Sequence, residues 1–120
     1  MPACAGIFGK GVAFVRLMFQ NALMAVHVYM LASQKNGTLY TGHTDNLPHR
    51  ILDHREGRSA AFTRRYRVHR LVWFEAHESR EDAKRREYQI KSWRRAWKRR
   101  LIEEANPDWD NLYLKLNMLV

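Results

Sequence analysis

The chain has 120 residues, a length that holds one domain with short tails and excludes most multi-domain machines. Hydrophobic residues make up 46% and aromatics 12%, with only 6 Gly and 3 Pro, a globular composition rather than a disordered or fibrous one. Lys and Arg number 21 against 12 Asp and Glu, and the formal charge of +9 favours polyanionic partners, nucleic acid first and an anionic membrane surface second.

Residues 1–24 carry Gly, Ala, bulky apolar residues, Lys10 and Arg16 but no acid, and they read as an extension of the domain. Met24, just ahead of the first convincing strand, offers an alternative start. Arg16, Gln20 and Asn21 interrupt the apolar run well short of the ~18 uninterrupted residues of a membrane helix, so no membrane span is expected. The single cysteine, Cys4, excludes an internal disulfide and a Cys-rich zinc site and points to a reducing compartment, the cytoplasm.

Short runs rich in Val, Tyr, Leu and Thr, His27 to Leu31 and Thr38 to Thr41, flank a polar loop that ends in Asn36-Gly37, which predicts a β-hairpin. With that loop centred near Gln34 and Lys35, Tyr29 and Tyr40 share a parity and become neighbours across the ladder. Such a pair is ordinarily a packing device worth about 0.2 to 1 kcal/mol, and alone it indicates no function. Asp45 or Asn46 then caps a helix of about ten residues, entered through Pro48 and stopped by Gly57. Arg50 and His54 lie four residues apart on one face of it, beside the Leu47 and Ile51 stripe, with their heads at the edge of the sheet. They are either two solvated polar residues or a fork of phosphate donors beside a titratable ring.

A basic loop is expected from Arg58 to Arg67, and the aromatic, β-branched run that begins at His69 predicts a third strand. Ser79 with Asp82 resembles a capping box and opens a helix toward Trp93, whose stripe continues through Trp97 and Leu101 as one long helix or as two broken near Ser92. Ala83, Glu87, Ile90, Trp97 and Leu101 keep an apolar helical period with one intruder, Glu87. A carboxylate there needs a partner, either an Arg or a hard divalent cation. Between Arg80 and Arg100 the local balance is +7, with Trp93 and Trp97 interleaved among the cations. Arg64, Arg65 and Arg67 of the basic loop, with Lys91, Arg94, Arg95, Lys98 and Arg99, are the expected contacts to a phosphate backbone. The domain is expected over residues 25–104, with 105–120, holding Pro107, Trp109, Leu112 and Tyr113, as a tail that tucks back onto it.

Taken together these residues resemble the GIY-YIG nuclease superfamily, particularly its small stand-alone bacterial members, over about Val26 to Leu101. The first signature triplet stands here as Val28-Tyr29-Met30 and the second as Tyr40-Thr41-Gly42; Arg50 and His54 follow at the family's spacing, and Glu87 falls where the family has its metal ligand. Val, Met and Thr depart from the signature at strand positions that pack, while both tyrosines and Gly42 remain.

The resemblance implies an α+β fold, a three-stranded antiparallel sheet flanked by helices, and metal-dependent hydrolysis of phosphodiesters. It further implies that Glu87 holds Mg²⁺ or Mn²⁺ through one carboxylate, that Tyr40 acts as general base with Tyr29 in its hydrogen-bond network, and that Arg50 neutralises charge on the phosphate. His54 would orient groups or shuttle a proton. The resulting expectation is an endonuclease acting on DNA in repair, recombination or processing, of structural or low specificity unless a partner protein supplies more. No residue is an identifiable reader of a 2′-hydroxyl, so RNA stays open as a substrate. The alternatives are a binding module that keeps the fold without cutting and, more weakly, a membrane-surface or protein-interaction role.

Overall fold

The computed structural model describes residues 25–58 and 61–119, with side chains described as far as Lys115; the predicted extension over 1–24 lies outside them. Three antiparallel strands, β1 (Val26–Ala32), β2 (Leu39–Thr44) and β3 (Arg70–His77), form one sheet in the order β2-β1-β3. Among the described residues five helices accompany it: α1 (Leu47–Arg55), α2 (Ala61–Tyr66), α3 (Arg80–Ser92), α4 (Arg95–Ala105) and α5 (Leu112–Leu119). The fold is therefore α+β, a three-stranded antiparallel sheet flanked by helices, as the resemblance implies.

The hairpin turns through Gln34–Gly37, closed by the Gly37 amide donating to the Gln34 carbonyl at 2.9 Å. Asn36 takes a positive φ of 60°, which its short polar side chain tolerates. This centre lies one residue later than the sequence reading places it, and the register changes accordingly. Tyr29 faces Gly42, and Tyr40 faces Leu31, so the two tyrosines are diagonal rather than directly opposite. They still share a face, with ring centroids 6.4 Å apart.

Each face of the sheet carries its own core. On one, Val28, Met30, Ala32, Val72 and Trp73 pack against Ala83 and Ile90 of α3, Leu101 and Ile102 of α4, and Trp109 beyond it. On the other, Tyr29, Leu31, Leu71 and Phe74 pack against Leu47 and Ile51 of α1. Consecutive Val72 and Trp73 serve the same core because β3 carries a bulge: Leu71 pairs with Leu31 and Trp73 with Met30, which leaves Val72 unpaired on β1. Asn106 donates from Nδ2 to the Val72 carbonyl at 3.1 Å and accepts the Asp110 amide, which anchors the segment bearing Trp109.

Helix boundaries follow local chemistry. Asn46 caps α1 by accepting the His49 amide, and Gly57 takes φ 76° just beyond its end. Ser79 caps α3 by accepting the Asp82 amide. The basic stripe divides into two helices because Trp93 and Arg94 adopt extended backbone between Ser92 and Arg95. The stretch expected as a basic loop instead contains α2, and the reason lies in Thr63, whose buried hydroxyl ties this turn to α1.

Candidate active site

The site forms around one glycine. Tyr29 projects from the central strand, 2% exposed, and its ring lies over Gly42 of β2. A Cβ at Gly42 would stand 2.7 Å from the Tyr29 hydroxyl and 2.9 Å from Cζ, so only hydrogen leaves room for this tyrosine. Tyr29 Oη shares a 2.9 Å hydrogen bond with His54 Nε2, and His54 Nδ1 shares one of 3.0 Å with Thr63 Oγ1. Three elements, β1, α1 and α2, are thereby joined by one polar chain inside an apolar face.

His54 is 2% exposed, which corrects the expectation that its head lies at the sheet edge. It continues the buried stripe of Leu47 and Ile51, three residues after Ile51. Arg50, on the same helix, stays exposed. Burial, reinforced by the Arg50 charge, lowers the His54 pKa to about 4, so the ring is neutral at pH 7. One ring nitrogen then donates and the other accepts, giving the chain from Tyr29 to Thr63 a direction that reverses when the tautomer changes. Burial pushes the Tyr29 phenol up, with Tyr40 adding to the shift, Arg50 opposing it and Glu87 adding again. Tyr29 is therefore held as a phenol and is unsuited to serve as a base. Besides burial, the groups that act on this hydroxyl through their charge are Tyr40, Arg50 and Glu87.

Tyr40 is half-buried, its ring 5.3 Å from that of His54. Phe62 stacks on its outer side at 6.3 Å and 28°, and Tyr66 follows at 4.9 Å from Phe62, both well exposed. An aromatic stair thus leads from the buried tyrosine to the surface along α2, flanked by Arg64 and Arg65.

Glu87 stands on α3, whose Ala83 and Ile90 pack on the opposite face of the sheet from Tyr29. Its side chain is 17% exposed and its partners are a histidine and a lysine, not the Arg considered from sequence. His43 Nδ1 lies 2.7 Å from Oε1, and Lys91 Nζ lies 2.8 Å from Oε2. Burial raises the Glu87 pKa, but the hydrogen bonds and charges of Lys91 and His43 outweigh it and leave the carboxyl below its ordinary value, ionised at neutral pH. The buried Arg–Glu pair is its neighbour: Arg86 Nε lies 3.0 Å from Glu75 Oε1 on β3, and His77 Nε2 meets the same oxygen at 2.8 Å.

Among the described residues no group of three His, Cys, Asp or Glu is gathered to hold a metal ion. The ionised Glu87 carboxylate is an oxygen donor of the kind a hard divalent cation takes, and it would hold such an ion singly, with water and phosphate supplying the other ligands. The expected phosphate contacts separate into two groups. Arg64, Arg65 and Arg67 are exposed beside the aromatic stair. Lys91, Arg94, Arg95, Lys98 and Arg99 ride on the α3–α4 side, several already engaged: Lys91 with Glu87, Arg95 with the carbonyls of Asn36 and Gly37, and Arg94 over the Trp97 ring. Lys98 is half-buried, and burial, with Arg95 and Lys91 nearby, lowers its pKa, whereas Arg99 is exposed in a shallow groove with Glu103 and Glu104.

Sequence reasoning passed over Thr63 and His43. Nothing in Phe62-Thr63-Arg64 signals a buried hydroxyl, whereas strand alternation from Tyr40 would have turned His43 toward the Glu87 side. No described helix is long and apolar enough to cross a membrane.

Comparison with known proteins gives the family. The model of the GIY-YIG catalytic domain matches residues 25–100. A UPF0213 protein of Staphylococcus haemolyticus is 41% identical over 81 residues, 68% of this chain and 99% of that protein. One from Staphylococcus saprophyticus is 36% identical over 82 residues, 68% of this chain and all of that protein. The solution NMR structure of UPF0213 protein BH0048 from Bacillus halodurans is 36% identical, covers 73% of this chain and 93% of that one, and superposes with a TM-score of 0.47. GIY-YIG domains are nuclease domains that act on nucleic acid and generally depend on a divalent metal. The chain belongs to the GIY-YIG family and is a relative of its small UPF0213 proteins.

Proposed function

We propose that this protein is a divalent-metal-dependent endonuclease that hydrolyses DNA phosphodiesters, with Tyr29, Tyr40, Arg50, His54 and Glu87 as its catalytic set. The observation that carries this reading is the buried hydrogen-bonded chain Tyr29–His54–Thr63 with the half-buried Tyr40 ring packed against it, which fixes both tyrosines beside one histidine.

A Mg²⁺ or Mn²⁺ ion at Glu87 would supply Lewis-acid polarisation of the scissile phosphate. The chain's own groups do the rest. Tyr40, the tyrosine open to solvent, gives its own proton up to solvent and, as the phenolate, accepts one from the water that attacks phosphorus. Tyr29 stays protonated and orients that water or the phosphate through its hydroxyl, while neutral His54 fixes the hydroxyl's direction. Arg50, exposed at the mouth, neutralises the charge that grows on the non-bridging oxygens, a role in which one aimed donor is worth about 100-fold or more. The P–O bond to the leaving oxygen then breaks, and that oxygen takes a proton from solvent. Arg64, Arg65 and Arg67 track the strand beside the stair, and Lys91, Arg94, Arg95, Lys98 and Arg99 reach a second stretch of backbone.

No sequence-reading module accompanies the domain among the described residues, so we infer low or structural specificity, or a partner protein that supplies it. Repair, recombination or processing of DNA in the cytoplasm suits such an enzyme. The deciding experiment incubates labelled single-stranded, duplex, nicked and branched DNA, and an RNA control, with Mg²⁺, Mn²⁺ or EDTA. Metal-dependent products that disappear in Glu87→Gln, while affinity for DNA persists, are expected. Binding without cleavage under every metal would overturn the enzyme in favour of a binding module.

A further inference from the structure

Resting on the reading of Glu87 as the cation's ligand, the two partners of its carboxylate have different mechanical characters. His43 sits within β2, between Gly42 and Thr44 and opposite Val28, with its backbone fixed in the ladder. A carboxylate only accepts hydrogen bonds, so His43 Nδ1 carries a hydrogen and donates to Oε1 at 2.7 Å. Lys91 approaches the other oxygen, Oε2, at 2.8 Å, from one turn along the same helix on a flexible stem that is half exposed. One oxygen is held by a ring donor on a rigid strand, and the other is covered by a mobile cation.

We propose that His43 is a positioning residue that orients Glu87 for its divalent cation, and that the Lys91 ammonium holds the cation's place on Oε2 until the ion displaces it. A monodentate carboxylate ligand needs its second oxygen tethered, or the group swings and the ion is poorly held; outer hydrogen bonds of this kind typically matter 10- to 100-fold in metal affinity. His43 supplies that tether from a backbone fixed in the ladder. Lys91 meets the requirement of an empty anionic site, a nearby positive charge that offsets the half-buried carboxylate. A divalent ion held by Glu87 would displace the ammonium, and the freed Lys91 would then add a cation to the surface offered to phosphate. Metal binding and nucleic-acid binding are thereby coupled through one side chain.

The test uses the full ¹⁵N-labelled chain without nucleic acid, titrated with Mn²⁺ and followed by paramagnetic broadening of the α3 amides. Expected results are a 10- to 100-fold weaker midpoint for His43→Ala, a partial recovery for His43→Asn, which retains an N–H donor, and a midpoint tightened about 2- to 5-fold for Lys91→Met, the size of an exposed ion pair removed as competitor. The same spectra report whether each variant stays folded. A His43→Asn midpoint as weak as that of His43→Ala, a His43→Ala midpoint equal to wild type, or a weaker midpoint in Lys91→Met would overturn the proposal. Failure of the underlying reading looks different: broadening around α3 that is missing in wild type, or that persists in Glu87→Gln, would remove Glu87 itself as the ligand.

Discussion

Gly42→Ala is the most exacting perturbation of this site, because it adds one methyl group where Tyr29 already lies. Carbon contacts are comfortable at about 3.5–4.0 Å, and the new Cβ would meet Tyr29 Cζ at 2.9 Å, its hydroxyl at 2.7 Å and Tyr40 Cε1 at 3.2 Å. The Tyr29 ring would have to retreat by roughly 0.6 Å to restore ordinary contact. It has nowhere to go without cost, being 2% exposed and bonded to His54 at 2.9 Å. Overpacking of this kind costs about 1–3 kcal/mol, and loss of the Tyr29–His54 bond adds about 0.5–1.5 kcal/mol. At ~4–8 °C per kcal/mol for a domain of this size, Tm falls on the order of 10–20 °C. Thermal and urea unfolding of wild type, Gly42→Ala, Tyr29→Phe and the double variant measure it. Deleting the hydroxyl removes the tightest contact, so Gly42→Ala is expected to cost less in the Phe background, with a coupling of about 0.5–3 kcal/mol. A Gly42→Ala protein within ~0.5 kcal/mol of wild type would show that the glycine is not required by Tyr29.

Three further outcomes can be measured. His54 and His27 both titrate near pH 4, chiefly because they are buried, whereas in the unfolded chain they titrate near 6.5. The unfolded state therefore binds more protons between those values, so stability is complete above pH 6.5 and declines as pH falls toward 4, by roughly 3 kcal/mol per histidine; urea unfolding that is flat from pH 7 to pH 5 would refute this. Glu75→Ala strands the Arg86 guanidinium, whose side chain is 11% exposed, without its carboxylate, and is expected to cost about 3–5 kcal/mol in urea unfolding; a change below ~1 kcal/mol would mean that water replaces the pair. For nucleic acid, log affinity against log salt is expected to be linear, and Arg64→Ala should lower the steepness by about 0.9; an unchanged slope would take Arg64 off the phosphate path.

Much of the frame was legible in the residues because local chemistry decides it. Asn46, Gly57 and Ser79 bound their helices through side-chain caps or a positive φ, and these signals need no tertiary context. The hairpin was legible but its register was not: Gln34-Lys35 and Lys35-Asn36 can both form the centre of a polar loop, and the structure, which brings Tyr29 close to Gly42, has the second. His54 carried a readable signal, its place three residues after Ile51, but polarity argued for solvent until Tyr29 and Thr63 supplied partners from distant segments. Glu87 stood out as an acid in an apolar stripe, yet its neighbour Arg86 takes the Arg–Glu pair, and Glu75, flanked by Phe74 and Ala76 in β3, was the acid that pointed to it. Helix α2 was illegible because its amphipathicity reduces to one threonine.

The bulge at Val72 also bears on where the domain can be cut. Its carbonyl is capped by Asn106, Arg70 donates to the Trp109 carbonyl at 3.0 Å, and the Trp109 indole donates to Glu103 while its ring fills the α3–α4 core. The family's shared region ends at residue 100 here, but a chain severed there would lose the plug of its own core and expose an unmatched carbonyl in its third strand. For this sequence the portable unit, the piece that could be fused to a targeting module and still fold, must extend past Trp109.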